Sequence, residues 1–210
     1  MRSNILLIAF SLSLGVYACQ PGQDSANQPV KPKTPKNDYV IIPGQRVGPL
    51  KAAAATENDL VLAFGAQKVV AMPVYIGEGM EMPGYKVYPD TPNELEVVYD
   101  PDQAADKPAF LRVGHPRSKW KTNTGVKIGI SLQKLEALNG KPFMFSGFGW
   151  DYGGRVTNWN GGNFDANLMI TLENLSENAP EALFGEQEIS SDNPMLRNLK
   201  IKVSVMEVRL

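Results

Sequence analysis

The stretches TENDLVLAFG (Thr56–Gly65) and SLQKLEALNG (Ser131–Gly140) decide how this chain is expected to fold, because they repeat one another at matching offsets. Each opens on a hydroxyl residue that can cap a helix and closes on a glycine that can stop one. In the first, Thr56 is the N-cap and the acids Glu57 and Asp59 fill the first turn. Leu60 and Ala63 answer to Leu135 and Leu138, the core-facing positions of a two-turn helix.

Working outward, each helix follows a glycine-containing extended stretch, Val47-Gly48-Pro49-Leu50 in one case and Gly125-Val126-Lys127-Ile128-Gly129 in the other. Candidate strands come after each. Behind the first helix they are Lys68–Ile76, Tyr85–Tyr88, Glu94–Tyr99 and Phe110–Val113. Behind the second they are Pro142–Phe148, Arg155–Trp159, Leu168–Leu172 and a long run from Leu199 to Leu210, with Gly, Pro and Asp turns between strands. The last run alternates through Leu199, Ile201, Val203 and Val205, then shifts phase to Met206, Val208 and Leu210, which predicts a half-buried antiparallel strand with a bulge or bend near Val205. The expected fold class is therefore α+β, with two related units at 38–120 and 121–210. Each is a short helix followed by antiparallel strands, and the two share one sheet or core.

Upstream of the first unit, residues 1–18 carry one early positive charge (Arg2), an apolar run from Ile5 to Val16 and small residues up to Ala18. That is the plan of a secretory signal. Val16-Tyr17-Ala18 suits an ordinary signal peptidase, which would leave Cys19 as a free N-terminal thiol. The alternative is that Cys19 is a lipid attachment point. It is the only cysteine in the chain, so it has no intramolecular disulfide partner, and acylation removes an otherwise exposed thiol.

Val16, Ala18 and Cys19 in this order resemble the lipobox of bacterial lipoproteins. The resemblance implies acylation of Cys19 and a stable anchor, since more than one chain is what lasting attachment requires. Gln20, where an aspartate would favour retention, implies sorting to the outer membrane. Residues 20–37 are rich in Pro, Gln, Asn, Ser and Lys without an apolar pattern, which predicts a disordered tether. Lys31, Lys33 and Lys36 could touch anionic head groups or simply keep the tether soluble. After residue 18 no apolar run approaches membrane-spanning length. The net charge of -1 and the lack of a basic block point away from nucleic acid.

The Gly-hydrophobic-Gly-hydrophobic-Ser/Thr start, the short helix ending in glycine and the strands that follow are similar to the repeats of β-lactamase-inhibitor-like and SmpA/OmlA-like envelope domains. That resemblance implies binding to other proteins without catalysis. The stretch NGKPFMFSGFGWDYGGRVTNWNGG (Asn139–Gly162) also resembles uncharacterised Bacteroidetes-type lipoproteins, a family that brings no activity with it.

The window Gly147-Phe148-Gly149-Trp150-Asp151-Tyr152-Gly153-Gly154 is the most distinctive. Tyr152 stands where a dinucleotide fingerprint needs its third glycine, and the Gly-Lys-Ser/Thr ending of a phosphate loop is missing. On one reading Phe148, Trp150, Tyr152 and Trp159 form an aromatic surface for a protein partner or a glycan, with Asp151 and Arg155 supplying hydrogen bonds. On the other it is a bulged hairpin whose glycines serve special backbone positions and whose aromatics fill core.

Asn158–Asp165 has oxygen-bearing residues at alternate positions, but only Asp165 is charged, and its Asn-Gly and Gly-Asn pairs suit hairpin turns better than a calcium loop. His115 is the only histidine, and there is neither a G-x-S-x-G elbow nor a second cysteine. Structural zinc lacks ligands. Asp100, Asp102 and Asp151 are loop-borne carboxylates, but nothing in their spacing selects a pair. The expectation is a lipid-anchored envelope protein without metal or cofactor, acting as a non-catalytic protein-binding or scaffolding module. The alternative is a glycan-binding or glycan-processing lipoprotein that uses the Gly147–Trp159 window.

Overall fold

In the computed structural model, which describes residues 38–51, 55–103 and 107–210, the two helices form where their caps stand. The expected signal segment, Cys19 and the tether lie outside the described residues. Helix α1 spans Glu57–Phe64: the Thr56 hydroxyl accepts from the Asp59 amide, and the Asp59 carboxylate accepts from the Thr56 amide, a reciprocal cap. Helix α2 spans Leu132–Asn139, capped by Ser131 and stopped by Gly140 in the left-handed conformation (φ 77°). Leu60 and Phe64 are the buried residues of α1; Leu132, Leu135 and Asn139 are those of α2.

The strands run in chain order β1 (Val40–Ile42), β2 (Arg46–Val47), β3 (Leu50–Lys51), β4 (Val69–Ala71), β5 (Val74–Gly77), β6 (Met80–Met82), β7 (Gly84–Val87), β8 (Leu95–Val98), β9 (Phe110–Val113), β10 (Lys121–Thr122), β11 (Met144–Ser146), β12 (Val156–Asn158), β13 (Leu168–Asn174), β14 (Glu188–Ser190) and β15 (Ile201–Val208). Among the described residues they make four sheets, with orders β10-β1-β2-β3, β12-β11-β14, β13-β15-β9-β8-β7-β4 and β5-β6.

This overturns the expected α+β class with two helix-plus-strand units on one sheet. The fold is β-rich, with fifteen strands and two eight-residue helices among the described residues. A hydroxyl cap, two apolar positions and a terminal glycine are the local needs of any two-turn helix, so their recurrence carries no information about what the following strands pair with. After α1, strands β4, β7, β8 and β9 build most of the large sheet; after α2, β11, β12 and β14 build a separate small one, while β13 and β15 join the large sheet.

The six-stranded sheet is antiparallel throughout, and its alternation sorts residues by face. Val87, Leu95, Val97, Leu111, Val113, Ile170, Val203, Met206 and Val208 turn inward and are buried. They join Ile41 and Leu50 of the four-stranded sheet, Phe145 and Ile189 of the three-stranded one, and the buried faces of both helices in one hydrophobic cluster. The phase shift expected near Val205 is present: β15 pairs Val205 with Thr171 and Val203 with Leu172, so Ser204 is the extra residue of a bulge.

On the opposite face, register places Lys86, Glu96, Arg112 and Glu207 side by side across four strands. Arg112 lies 2.6 Å from Glu96 and 3.9 Å from Glu207, and Arg155 lies 3.3 Å from Glu207. Opposite charges in neighbouring cross-strand positions favour the same register that the apolar face sets.

Asn139, a polar residue with no exposed surface, fastens the end of α2 to the loop after β12. Its carboxamide donates to the carbonyls of Lys141 (2.9 Å) and Trp159 (3.1 Å) and accepts from the Phe164 amide (3.4 Å). In return the Asn163 side chain donates to the Leu138 carbonyl (3.0 Å) and the Asn163 amide to the Asn139 carbonyl (2.8 Å), filling acceptors a helix end leaves open. The alternating asparagines of this loop are therefore engaged in holding the chain together.

Candidate functional site

Prolines 73 and 83 punctuate the large sheet. Pro73 has no amide hydrogen for the ladder, so β4 ends and the chain turns out into the β5–β6 hairpin before returning through Pro83 to β7. The hairpin turn uses three successive left-handed residues, Gly77, Glu78 and Gly79 (φ 112°, 52° and 75°). Val74 and Met82 face each other across it, as do Tyr75 and Glu81. Val74 is buried against Gly84, where an added Cβ would stand 2.7 Å from a Val74 methyl. Arg112 also donates to the Tyr75 carbonyl, so the ionic ladder holds the hairpin from below.

Beside the hairpin lies a cleft of about 820 Å³. Met72-Pro73 and Met82-Pro83 line it as a wall on the hairpin side, the more deeply set Tyr85 and Tyr99 as its floor, and Asp100-Pro101 and Glu57, at the start of α1, complete the lining. The two tyrosine rings stand edge to face at 5.8 Å. Tyr99 donates to the Ala55 carbonyl and Tyr85 to Glu57 (3.1 Å). Burial raises the Tyr99 phenol far above the usual tyrosine range, reinforced by the neighbouring Tyr85 phenol and the Asp59 carboxylate. Burial, then the Glu57 hydrogen bond, raises Tyr85. Both stay neutral, so the floor is apolar with its hydroxyls engaged.

The rim is acidic: Glu57, Glu81 and Asp100 are the ionisable carboxyl groups among the lining residues, and no lysine or arginine is among them. The Thr56 hydroxyl donates to Asp59 at 2.6 Å, inside its helix cap. The cleft thus offers apolar contact area and negative charge.

The aromatic window expected from the sequence is divided between interior and surface. Phe148 and Trp159 are buried; Phe148 packs on Phe145 (5.6 Å), and Trp159 packs on Phe143 (5.2 Å) while donating to the Leu168 carbonyl (3.0 Å). Trp150 is half-buried, its indole donating to the Gly147 carbonyl (2.8 Å), and it meets the exposed Tyr152 edge to face at 5.4 Å. Asp151 is exposed beside them. Arg155 turns away to Glu207 and to the Met169 sulfur (3.4 Å), at the far end of the ionic ladder. The glycines of the window admit the chain itself: a Cβ on Gly147 would stand 2.6 Å from the Gly185 carbonyl oxygen, and one on Gly154 2.0 Å from that of Leu172.

His115 lies in a separate depression with Arg112 and Arg117, where its Nδ1 accepts from the Arg117 amide (3.0 Å). Asp100 accepts from the Asp102 amide (2.9 Å) and from the Gln103 side chain (2.7 Å), a local turn at the cleft edge. Among the described residues no group of three or more His, Cys, Asp or Glu side chains converges. The sequence reading missed the Met-Pro hairpin. Its signal is two Met-Pro pairs, Met72-Pro73 and Met82-Pro83, flanking a Gly-Glu-Gly turn. Comparison with protein-family models, curated proteins and solved structures finds no match to this chain.

Proposed function

We propose that this chain is a lipid-anchored protein of the bacterial cell envelope, held in the outer membrane through Cys19, whose folded domain is a non-catalytic protein-binding module. The partner sits on the Met-Pro hairpin and the cleft beside it. One observation carries this reading: Met72 at the entry to the small hairpin and Tyr75 and Met80 on it are 38, 57 and 48 % exposed, while the hairpin's inner residue Val74 is fully packed. Large apolar side chains gathered on one projecting element mark interaction surfaces, and methionine adapts its shape to a partner at low cost. The anchor is supported by the lone cysteine and the lipobox-like residues before it.

The test is a photoreactive amino acid placed at Met80 of the full chain in its native envelope, with the same group at the equally exposed Met195 as control. A discrete protein adduct from position 80 and none from 195 is expected. No protein adduct from position 80, or the same adducts from both, would sink the reading. Labelled palmitate should enter the wild-type chain and be lost in Cys19→Ser.

A glycan-binding reading is favoured by a different feature, the exposed Tyr152 and Phe184 (42 and 43 %) flanking Trp150 and Gly149. Ring faces of this kind stack on sugars. Trp150→Ala with Tyr152→Ala should then abolish glycan retention while the unfolding midpoint changes little.

A further inference from the structure

We infer that the cleft beside the Met-Pro hairpin takes an extended peptide segment of a partner in which lysine or arginine alternates with proline and other apolar residues. This rests on the protein-binding reading above and adds the chemistry of what is bound.

Charge makes the first selection. Among the described residues, the charged groups on the lining are the three carboxylates Glu57, Glu81 and Asp100, without a lysine or arginine, and the ionic ladder that neutralises Glu96 and Glu207 runs along other side chains. An approaching acidic segment meets like charge. A basic one is attracted before contact and fixed in register after it.

The floor makes the second selection. Tyr85 and Tyr99 set perpendicular rings 5.8 Å apart between Pro83 and Pro101. The half-buried Tyr85 ring, backed by Tyr99 and accompanied by Pro83 and Pro101, suits the flat, rigid ring of proline in an extended chain, which loses little conformational freedom on docking. The Tyr85 ring also attracts a cation passing over it. With both phenols hydrogen-bonded internally, to Ala55 and Glu57, the floor demands no polar partner from the ligand. Met72 and Met82 on the wall accommodate apolar side chains of several shapes.

The probe is a fluorescein-labelled synthetic peptide in which lysine alternates with proline and leucine, titrated with the folded protein and followed by anisotropy. A twin peptide carries glutamate in place of each lysine. Saturable binding of the lysine peptide is expected, with no binding of the glutamate twin, and the affinity should fall steeply as sodium chloride is raised. Glu57→Gln combined with Glu81→Gln should weaken binding about tenfold. Both residues are exposed, and glutamine can still accept from Tyr85, so the fold should be retained. Glu186→Gln, an exposed carboxylate elsewhere, should leave binding unchanged.

Equal binding of both peptides, no binding of either, or an unaltered affinity in the double variant would each overturn the inference. If the Met80 photoadduct forms and the peptide test fails, the binding module stands and only the chemistry of its ligand is wrong. If neither succeeds, both fall.

Discussion

Replacing Gly162 with alanine should unlock the end of α2, and the loss should disappear when Asn139 is shortened as well. Gly162 has no left-handed backbone to justify a glycine; what excludes a side chain there is the Asn139 carboxamide, whose Oδ1, Cγ and Nδ2 would stand 2.2, 2.4 and 2.4 Å from an added Cβ. Asn139 is fully buried and cannot swing aside, so it must release the Lys141 and Trp159 carbonyls and the Phe164 amide. The Lys141 carbonyl is partly open to water; the Trp159 carbonyl also receives the Gly162 amide (3.0 Å). A buried polar group left unpaired costs roughly 1–3 kcal/mol, so the Gly162→Ala loss should be about 2–3 kcal/mol. Asn139→Ala removes the same bonds and should cost a similar amount. The double variant should be about as stable as Asn139→Ala alone, because the added methyl then occupies vacated space, and the coupling should be about 2 kcal/mol. For a domain of this size each kcal/mol moves Tm by roughly 2–4 °C, so thermal unfolding by circular dichroism resolves all three variants. Additive losses in the double variant, or a neutral Gly162→Ala, would refute the packing of glycine against carboxamide.

Gly154→Ala should be far worse than Gly125→Ala although both glycines have positive φ (76° and 96°), because the Leu172 carbonyl oxygen lies 2.0 Å from the new Cβ at 154 and nothing lies within 4 Å at 125. Urea titrations should give a loss of about 4 kcal/mol or more for the first and about 1 for the second. Glu207→Gln strips the shared carboxylate from Arg112 and Arg155 and should cost about 1–2 kcal/mol in the same assay, whereas Glu173→Gln on the exposed face of β13 should change stability by less than about 0.5. Burial holds the phenols of Tyr39, Tyr85, Tyr88 and Tyr99 above the ordinary tyrosine value. The folded chain keeps these protons where the unfolded chain loses them, so stability should be unaffected by them below that value and decline as pH rises beyond it. Tyrosinate absorbance should show a late phase that coincides with unfolding and shrinks in Tyr99→Phe.

Helix caps were legible because their chemistry is local: Thr56, Asp59 and Gly65 make bonds within one turn. Strands β7, β8 and β9 and the Ser204 bulge were legible because alternation survives wherever one face is buried. Strands β2, β3 and β10 are two residues each, too short to show a period, and β1 pairs in parallel with β10 some eighty positions away, a partnership no local pattern encodes. The repeat reading failed for the same reason, since the second half divides its strands: β13 and β15 add to the edge at β9, while β11, β12 and β14 pair among themselves. At the candidate site, aromatic identity did not reveal facing. Trp150 and Trp159 read alike in sequence, yet one donates to its own turn and the other to a core strand. The Met-Pro hairpin was overlooked because its exposed methionines look like core residues until Pro73 and Pro83 show that the chain leaves the sheet.

The place of β15 between β9 and β13 also sets a timetable. A chain that leaves the ribosome, or threads a membrane pore, N-terminus first shows β9 as an open edge, with Leu111 and Val113 uncovered, until residues 201–208 arrive. The large sheet cannot be completed from its early strands alone, so nearly the whole domain must emerge before the slow, long-range closure begins. For that interval a sticky sheet edge travels unprotected, and whatever carrier accompanies the nascent chain has to keep it from pairing with its neighbours.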